Sequence, residues 1–94
     1  MRRTITNAKQ RRNKLDIIAN ILEIAKEGSL KTQIMYKANL SFTQLKNYLD
    51  FLLDKGFITQ TSRTGSDCNE VYVITQKGVD FLQVHSELVR LLRK

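Results

Sequence analysis

The residues with the clearest catalytic or metal-binding potential are the single cysteine, Cys68, and the single histidine, His85. One cysteine cannot form an internal disulfide, and this pair provides too few ligands for a zinc site. A catalytic cysteine–histidine pair is formally possible, but Cys68 lies in a polar turn and His85 in a helical pattern. These positions favour a free surface thiol and an ordinary histidine on a helix surface. The sequence also lacks phosphate-binding loops, dinucleotide fingerprints and metal-ligand clusters, so we expect no enzyme activity, metal or cofactor.

The positive charge is concentrated at the N-terminus, and this predicts a polyanionic partner. The net charge is +7, and residues 1–14 hold six of the 16 basic residues and no acidic one. The remaining ten basic residues stand against nine acidic residues. The six are Arg2, Arg3, Lys9, Arg11, Arg12 and Lys14. A basic arm on a near-neutral domain is typical of binding to nucleic acid or to an anionic membrane surface. We favour nucleic acid over the alternative of a terminus that only improves solubility.

Length and composition predict one soluble globular domain. The chain has 94 residues, of which 41% are apolar and 27% charged, and chains of this length form a single core. Charged residues interrupt every apolar stretch, so none reaches the roughly 20 residues needed to cross a bilayer. No apolar region of a secretory signal follows the basic N-terminus. We therefore expect a cytoplasmic, nucleoid-associated protein without a membrane partner.

Apolar periodicity predicts three helices before any strand. Helix 1 spans about 13–27, with Asn13 as the N-cap and Gly28 as the stop. Its apolar stripe is Leu15, Ile18, Ala19, Ile21, Leu22 and Ala25. Helix 2 spans about 31–38, capped by Ser29 or Thr32. Helix 3 spans about 42–55, begins at a Ser41/Gln44 capping box and ends at Gly56. Helices 2 and 3 with their short connection form a helix-turn-helix arrangement.

The rest of the sequence predicts a hairpin and a last helix. Residues 57–61 and 71–74 are rich in β-forming residues, and the polar run 62–69 between them is a turn. Thr75 caps a helix of about 76–93. Since one hairpin is too small to stand alone, it must pack on the helices. The predicted fold is an α+β winged helix-turn-helix. It has a flexible basic arm at 1–12, a winged-helix domain at 13–75 and a C-terminal helix at 76–94 packed on that domain.

Two segments resemble the small archaeal winged helix-turn-helix regulators. They are KTQIMYKANLSFTQLKNYLDFLLDKGFI at 31–58 and YVITQKGVDFL at 72–82, and the likeness extends over about residues 13–90. The resemblance implies double-stranded DNA binding without a cofactor or small-molecule ligand. It also implies a homodimer, because members of this family pair through an antiparallel coiled coil of their C-terminal helices.

The first half of helix 3 holds the predicted base-contacting residues. With the leucines turned inward, the outward residues are Ser41, Thr43, Gln44, Lys46 and Asn47. Gln and Asn can pair bidentately with adenine, Lys can reach guanine or a phosphate, and Ser and Thr suit either. The alternative is a plain solvated helix face. Asp50 and Asp54 would repel phosphate, so only the first two turns are expected to approach DNA.

Further residues are predicted to contact the DNA backbone. Helix 2 offers Lys31, Thr32, Tyr36 and Lys37, although Tyr36 is equally suited to the core. The wing offers Arg63 for the minor groove or a phosphate. The arm offers Arg2, Arg3, Arg11 and Arg12.

The last helix carries two apolar rows. Val79 and Leu82 are expected to cover the domain core. Phe81, Val84, Leu88 and Leu91 form a second row with heptad spacing. This row predicts a homodimer, which suits two DNA half-sites; the alternative is that the whole helix folds back on helix 1. The expected function is that of a DNA-binding transcription regulator. Two alternatives remain open. One is a sequence-neutral chromatin protein, and the other is a protein-interaction module, which an exposed Phe42 would favour.

Overall fold

The computed structural model describes residues 13–62 and 70–93, and its architecture is the predicted α+β winged helix. The helices are α1 (Lys14–Ile24, continued by a 3-10 turn at Ala25–Glu27), α2 (Lys31–Ala38), α3 (Phe42–Lys55) and α4 (Gln76–Arg93). The strands are β1 (Ser29–Leu30), β2 (Ile58–Ser62) and β3 (Glu70–Ile74). The arm at 1–12 and the wing tip at 63–69 lie outside the described residues. No helix in the described ranges has the length and apolarity needed to span a membrane.

The start of α1 follows local chemistry, but its apolar face differs from the prediction. The Asn13 side chain accepts a hydrogen bond from the Asp16 N–H at 2.9 Å, which confirms the predicted N-cap. The core face consists of Ile17, Ile18, Ala19, Ile21 and Leu22. Leu15, predicted to lie in the apolar stripe, is 51% exposed, because the face of the first turn that meets the core is that of Ile17 and Ile18.

A third strand, β1, was missed by the sequence analysis. Ser29 pairs with Tyr72 and Leu30 with Val71, so β3 is the central strand of a β1-β3-β2 sheet. The predicted cap of α2 was therefore wrong. The Ser29 hydroxyl donates to the Ile24 carbonyl at 2.9 Å, and the N-cap position is Leu30, whose N–H donates to the Gln33 side chain at 2.9 Å.

Gly28 makes the entry into β1 possible. Its φ of 93° is a conformation that side chains other than glycine rarely adopt. An added Cβ would also lie 3.1 Å from Cγ1 of Val71 on the neighbouring strand. Gly28 therefore ends the 3-10 turn and lets the chain join the sheet at once.

The helix-turn-helix segment is closed by local hydrogen bonds. Asn39 takes the left-handed conformation after α2, with φ 57°, and the Leu40 N–H donates to the Met35 carbonyl at 3.1 Å. The predicted capping box is confirmed, since the Gln44 N–H donates to Ser41 Oγ at 3.1 Å and the Ser41 N–H donates to Gln44 Oε1 at 3.0 Å. The start of α3 is thus fixed by two reciprocal bonds.

The core lies between α1, α2, α3 and the inner face of the sheet. Its fully buried large side chains are Ile21, Leu22, Ile34, Leu45 and Leu52. The start of α4 is tied to this body through Thr75, whose N–H donates to the Phe57 carbonyl at 3.0 Å. Its hydroxyl donates to the Gly56 carbonyl at 2.6 Å and accepts from the Gly78 N–H at 3.2 Å. Thr75 thus caps α4, as predicted, and also fastens it to the end of α3.

Gly78 of α4 lies where the helix packs tightly against Phe57 and Ile74. We therefore expect Gly78→Ala to destabilise the protein. An added Cβ would lie 2.6 Å from Cγ1 of Ile74 and closer still to the backbone oxygen of Phe57. Overpacking of this kind costs about 1–3 kcal/mol, although alanine is the better helix former. Thermal denaturation measures the loss. Ser86→Ala, on the exposed side of the same helix, should leave the melting temperature unchanged or slightly higher. An equally unaffected Gly78→Ala protein would contradict the close approach.

Candidate DNA interface

The N-terminal half of α3 presents its polar residues outward and its leucines inward. Leu45, Leu49 and Leu52 are buried in the core. The five predicted base-contacting residues are all exposed: Ser41, Thr43, Gln44, Lys46 and Asn47. This half of the helix can therefore meet a surface that has hydrogen-bond donors and acceptors of its own, such as the major groove.

Gln44 and Asn47 differ in how free their amides are. Gln44 Oε1 accepts the hydrogen bond of the Ser41 N–H, so a bidentate contact with adenine would have to share or replace that bond. Asn47 makes no side-chain hydrogen bond within the described part of the chain. Of the two amides, Asn47 is the one available to a base without cost to the helix cap.

Acidic groups limit the surface that suits phosphate. Lys46 lies 3.6 Å from Asp50 in an exposed ion pair, and Asp54 is exposed one turn further on. In the wing, the Gln60 amide donates to Glu70 and, at 3.4 Å, to the Tyr72 hydroxyl. Burial, and next the Glu70 and Asp50 carboxylates, raise the pKa of the Tyr72 phenol above its ordinary value. Along α3, these carboxylates leave the first two turns as the part that suits phosphate.

The exposed side of α2 holds the four predicted backbone contacts. Lys31, Thr32 and Lys37 are exposed. Tyr36 is 81% exposed, so it is a surface residue and not part of the core. Lys31 also reaches α3, with its Nζ 5.8 Å from the centre of the Phe42 ring.

The start of α1 lies beside the first half of α3. Lys14, the first residue of α1, lines an open groove of about 380 Å³ together with Gln44 and Asn47 of α3. Lys14 thus lies next to the side chains that are predicted to contact bases. The other predicted contacts, namely Arg2, Arg3, Arg11, Arg12 and the wing residue Arg63, lie outside the described residues.

The two halves of the C-terminal helix α4 differ in burial. Its first half packs on the domain, since Leu82 contacts the core and His85 Nε2 lies 3.1 Å from Asp16 Oδ1 of α1. Phe81, predicted at the dimer interface, lies partly buried in its own chain, 5.4 Å from the Phe57 ring in an edge-on contact. The half beyond His85 leaves large apolar side chains exposed. The exposed large apolar side chains are Val84, just before His85, and Leu88, Val89, Leu91 and Leu92 beyond it.

Comparison with known proteins identifies the same fold. The chain matches the winged helix-turn-helix family model over residues 11–93. An uncharacterized protein of Methanocaldococcus jannaschii is 45% identical over 87 residues, which cover 92% of this chain and 82% of that protein. A second, also uncharacterized, is 40% identical over 83 residues, which cover 87% of this chain but only 36% of that protein. The chain thus spans a minor part of this second relative.

Solved structures add DNA-binding proteins with this fold. Sso10a-2, a DNA-binding protein from Sulfolobus solfataricus, superposes with a TM-score of 0.75 at 22% identity, covering 85% of this chain and 81% of that one. A mutant of Escherichia coli MarR complexed with operator DNA gives 0.67 at 16% identity, covering 80% of this chain and 52% of the other. At such identities the likeness concerns the fold alone. With this fold and a family match over nearly its whole length, the chain belongs to the winged helix-turn-helix family.

Proposed function

We propose that this protein binds double-stranded DNA as a homodimeric, non-catalytic transcription regulator. The helix α3 enters the major groove, while α2, the wing residue Arg63 and the basic arm hold the phosphate backbone. The observation that carries this proposal is the first half of α3, which is capped by two side-chain bonds and exposes amide, hydroxyl and ammonium groups while its leucines are buried. A DNA partner places the protein at the nucleoid, in the cytoplasm.

Three further observations support a DNA partner. The first is the position of Lys14 at the start of α1, which lines the same groove as Gln44 and Asn47. The second is the exposure of Lys31 and Lys37 on the same helix-turn-helix unit. The third is that a protein of this fold, MarR, has been solved with operator DNA. These observations support a DNA partner for the face formed by α2 and the first half of α3.

A homodimer is supported by the exposed apolar row at the end of α4. Val84, Leu88 and Leu91 recur at the spacing of a two-helix seam, and they are exposed in the isolated chain. Val89 and Leu92 widen this surface. The Phe81 ring stands at the start of the row and contributes less to a partner helix, because it packs on Phe57 of its own chain.

Binding measurements at two salt concentrations, with specific and random competitor DNA, test the proposal. A site selected from random fragments should bind more tightly than random duplex. Both affinities should fall as the salt concentration rises, because binding of the protein releases counterions from the DNA. Equal affinity for both DNAs would indicate a sequence-neutral chromatin protein. No binding to either DNA would indicate a protein-interaction module.

Deletion of residues 1–12 should weaken binding to all sequences alike. The arm supplies Arg2, Arg3, Lys9, Arg11 and Arg12, and each phosphate contact that is lost should reduce the log–log salt slope by about 0.9. Fluorescence anisotropy over a salt series measures this slope. A variant that keeps the arm but replaces these five residues with glutamine separates the effect of charge from that of chain length. An unchanged slope would show that the arm only improves solubility.

A further inference from the structure

The first residue of α3, Phe42, is a large apolar side chain that the core does not use. It is 60% exposed, although three other apolar residues of the same helix, Leu45, Leu49 and Leu52, are buried. Side chains on a helix lean toward its N-terminus. The Phe42 ring therefore projects from the end of α3 that is proposed to enter the DNA major groove.

A cation lies beside the ring. Lys31 Nζ is 5.8 Å from the centre of the Phe42 ring, and Lys31 is the first residue of α2. The ring therefore lies between the N-terminal ends of the two helices of the motif. The far end of α3 repeats the pair, with Lys55 Nζ 5.8 Å from the centre of the Phe51 ring. Phe51, however, lines the groove toward Lys14 and Ile18 of α1.

We infer that Phe42 is a specificity-determining residue that contacts the 5-methyl group of thymine in the major groove, with Lys31 on the adjacent phosphate. This inference rests on the proposed DNA-binding function. The thymine methyl is the apolar group among the base edges of the major groove, and it lies on the side of the base next to the sugar-phosphate backbone. An apolar ring with an ammonium group beside it matches a methyl group with a phosphate beside it. Among the exposed polar residues at the start of α3, Thr43 also has a methyl group that could contact thymine, so a thymine preference that persists without Phe42 would point to Thr43 instead.

Duplexes in which deoxyuridine replaces thymine test the inference, because they differ from natural DNA only by the methyl group. The wild-type protein should bind the uracil duplex about fourfold more weakly for each methyl group it contacts. Phe42→Ala and Phe42→Gln should bind both duplexes equally, at or below the affinity of the wild type for uracil DNA. Phe51→Ala removes the matching aromatic at the other end of α3. Whatever its effect on overall affinity, this variant should keep the full difference in affinity between thymine and uracil duplexes.

The outcomes separate this inference from the proposed function. Wild-type binding with equal affinity for thymine and uracil duplexes would overturn the role of Phe42 and leave DNA binding intact. A preference for thymine that persists in both Phe42 variants would also overturn it. Failure of the wild type to bind either duplex would overturn the proposed function and this inference with it.

Discussion

Leu88→Glu is expected to convert the dimer into a folded monomer and to weaken DNA binding by about 10²–10⁴-fold. Leu88 is 47% exposed in the isolated chain, so the domain does not depend on it for its own core. In the proposed dimer, the glutamate would be buried against a partner helix whose facing residues are apolar, and an unpaired charge there is costly. The loss of affinity follows because a monomer engages one half-site instead of two, although no DNA-facing residue has changed.

Sedimentation at micromolar concentration and DNA titration measure these two effects. Gln83→Glu is a matched control, since it adds the same charge to an exposed position of the same helix away from the row. It should remain dimeric and bind normally. A wild-type protein that sediments as a monomer would refute the proposed dimer interface on α4. If the Leu88→Glu monomer were to bind DNA as tightly as the dimer, the coupling of dimerisation to affinity would be wrong.

Asn47→Ala is expected to cost about 1–3 kcal/mol at a preferred DNA site and to relax base preference there. The reason is that the Asn47 amide is exposed on the side of α3 that we propose faces the major groove, and that it makes no side-chain hydrogen bond in the described residues. Folding should be unaffected. Titration of the selected site and of random DNA measures the difference. Equal losses on both would assign Asn47 to the backbone.

Gln44→Ala should behave differently, because Gln44 is part of the helix cap. Its Oε1 accepts from the Ser41 N–H, so the variant loses stability as well as affinity. Gln44→Glu separates the two roles. Glutamate also serves in a capping box, so the melting temperature should be kept, while its negative charge should repel the DNA. Full affinity in Gln44→Glu would exclude Gln44 from the interface.

Features that depend on neighbouring residues in the chain were predictable. The bounds of α3 follow from the Ser41/Gln44 box and from Gly56, whose φ of 81° suits glycine, and the structure places them as predicted. The same local analysis found Asn13 as the cap of α1. In each case the hydrogen bonds join residues that are close in the sequence.

Features that depend on distant residues were not predictable. The strand β1 has only two residues, and its partners, Tyr72 and Val71, lie about 40 residues further along the chain, so no local pattern marks it. The exposure of Leu15 reflects where α1 meets its neighbours, which periodicity does not report. The contact of Phe81 with Phe57 likewise depends on how α4 returns to the body.

In the proposed DNA complex, the direct passage from β1 into α2 would fix the spacing between the base of the wing and α2. Leu30 pairs with Val71 of the central strand, and Lys31 begins α2 without an intervening linker. The distance between the base of the wing and the first cation of α2 is thus set by sheet hydrogen bonds. A protein that cannot adjust this distance requires the DNA to adapt instead. Base sequences that deform easily to that spacing are then favoured at positions that no side chain touches.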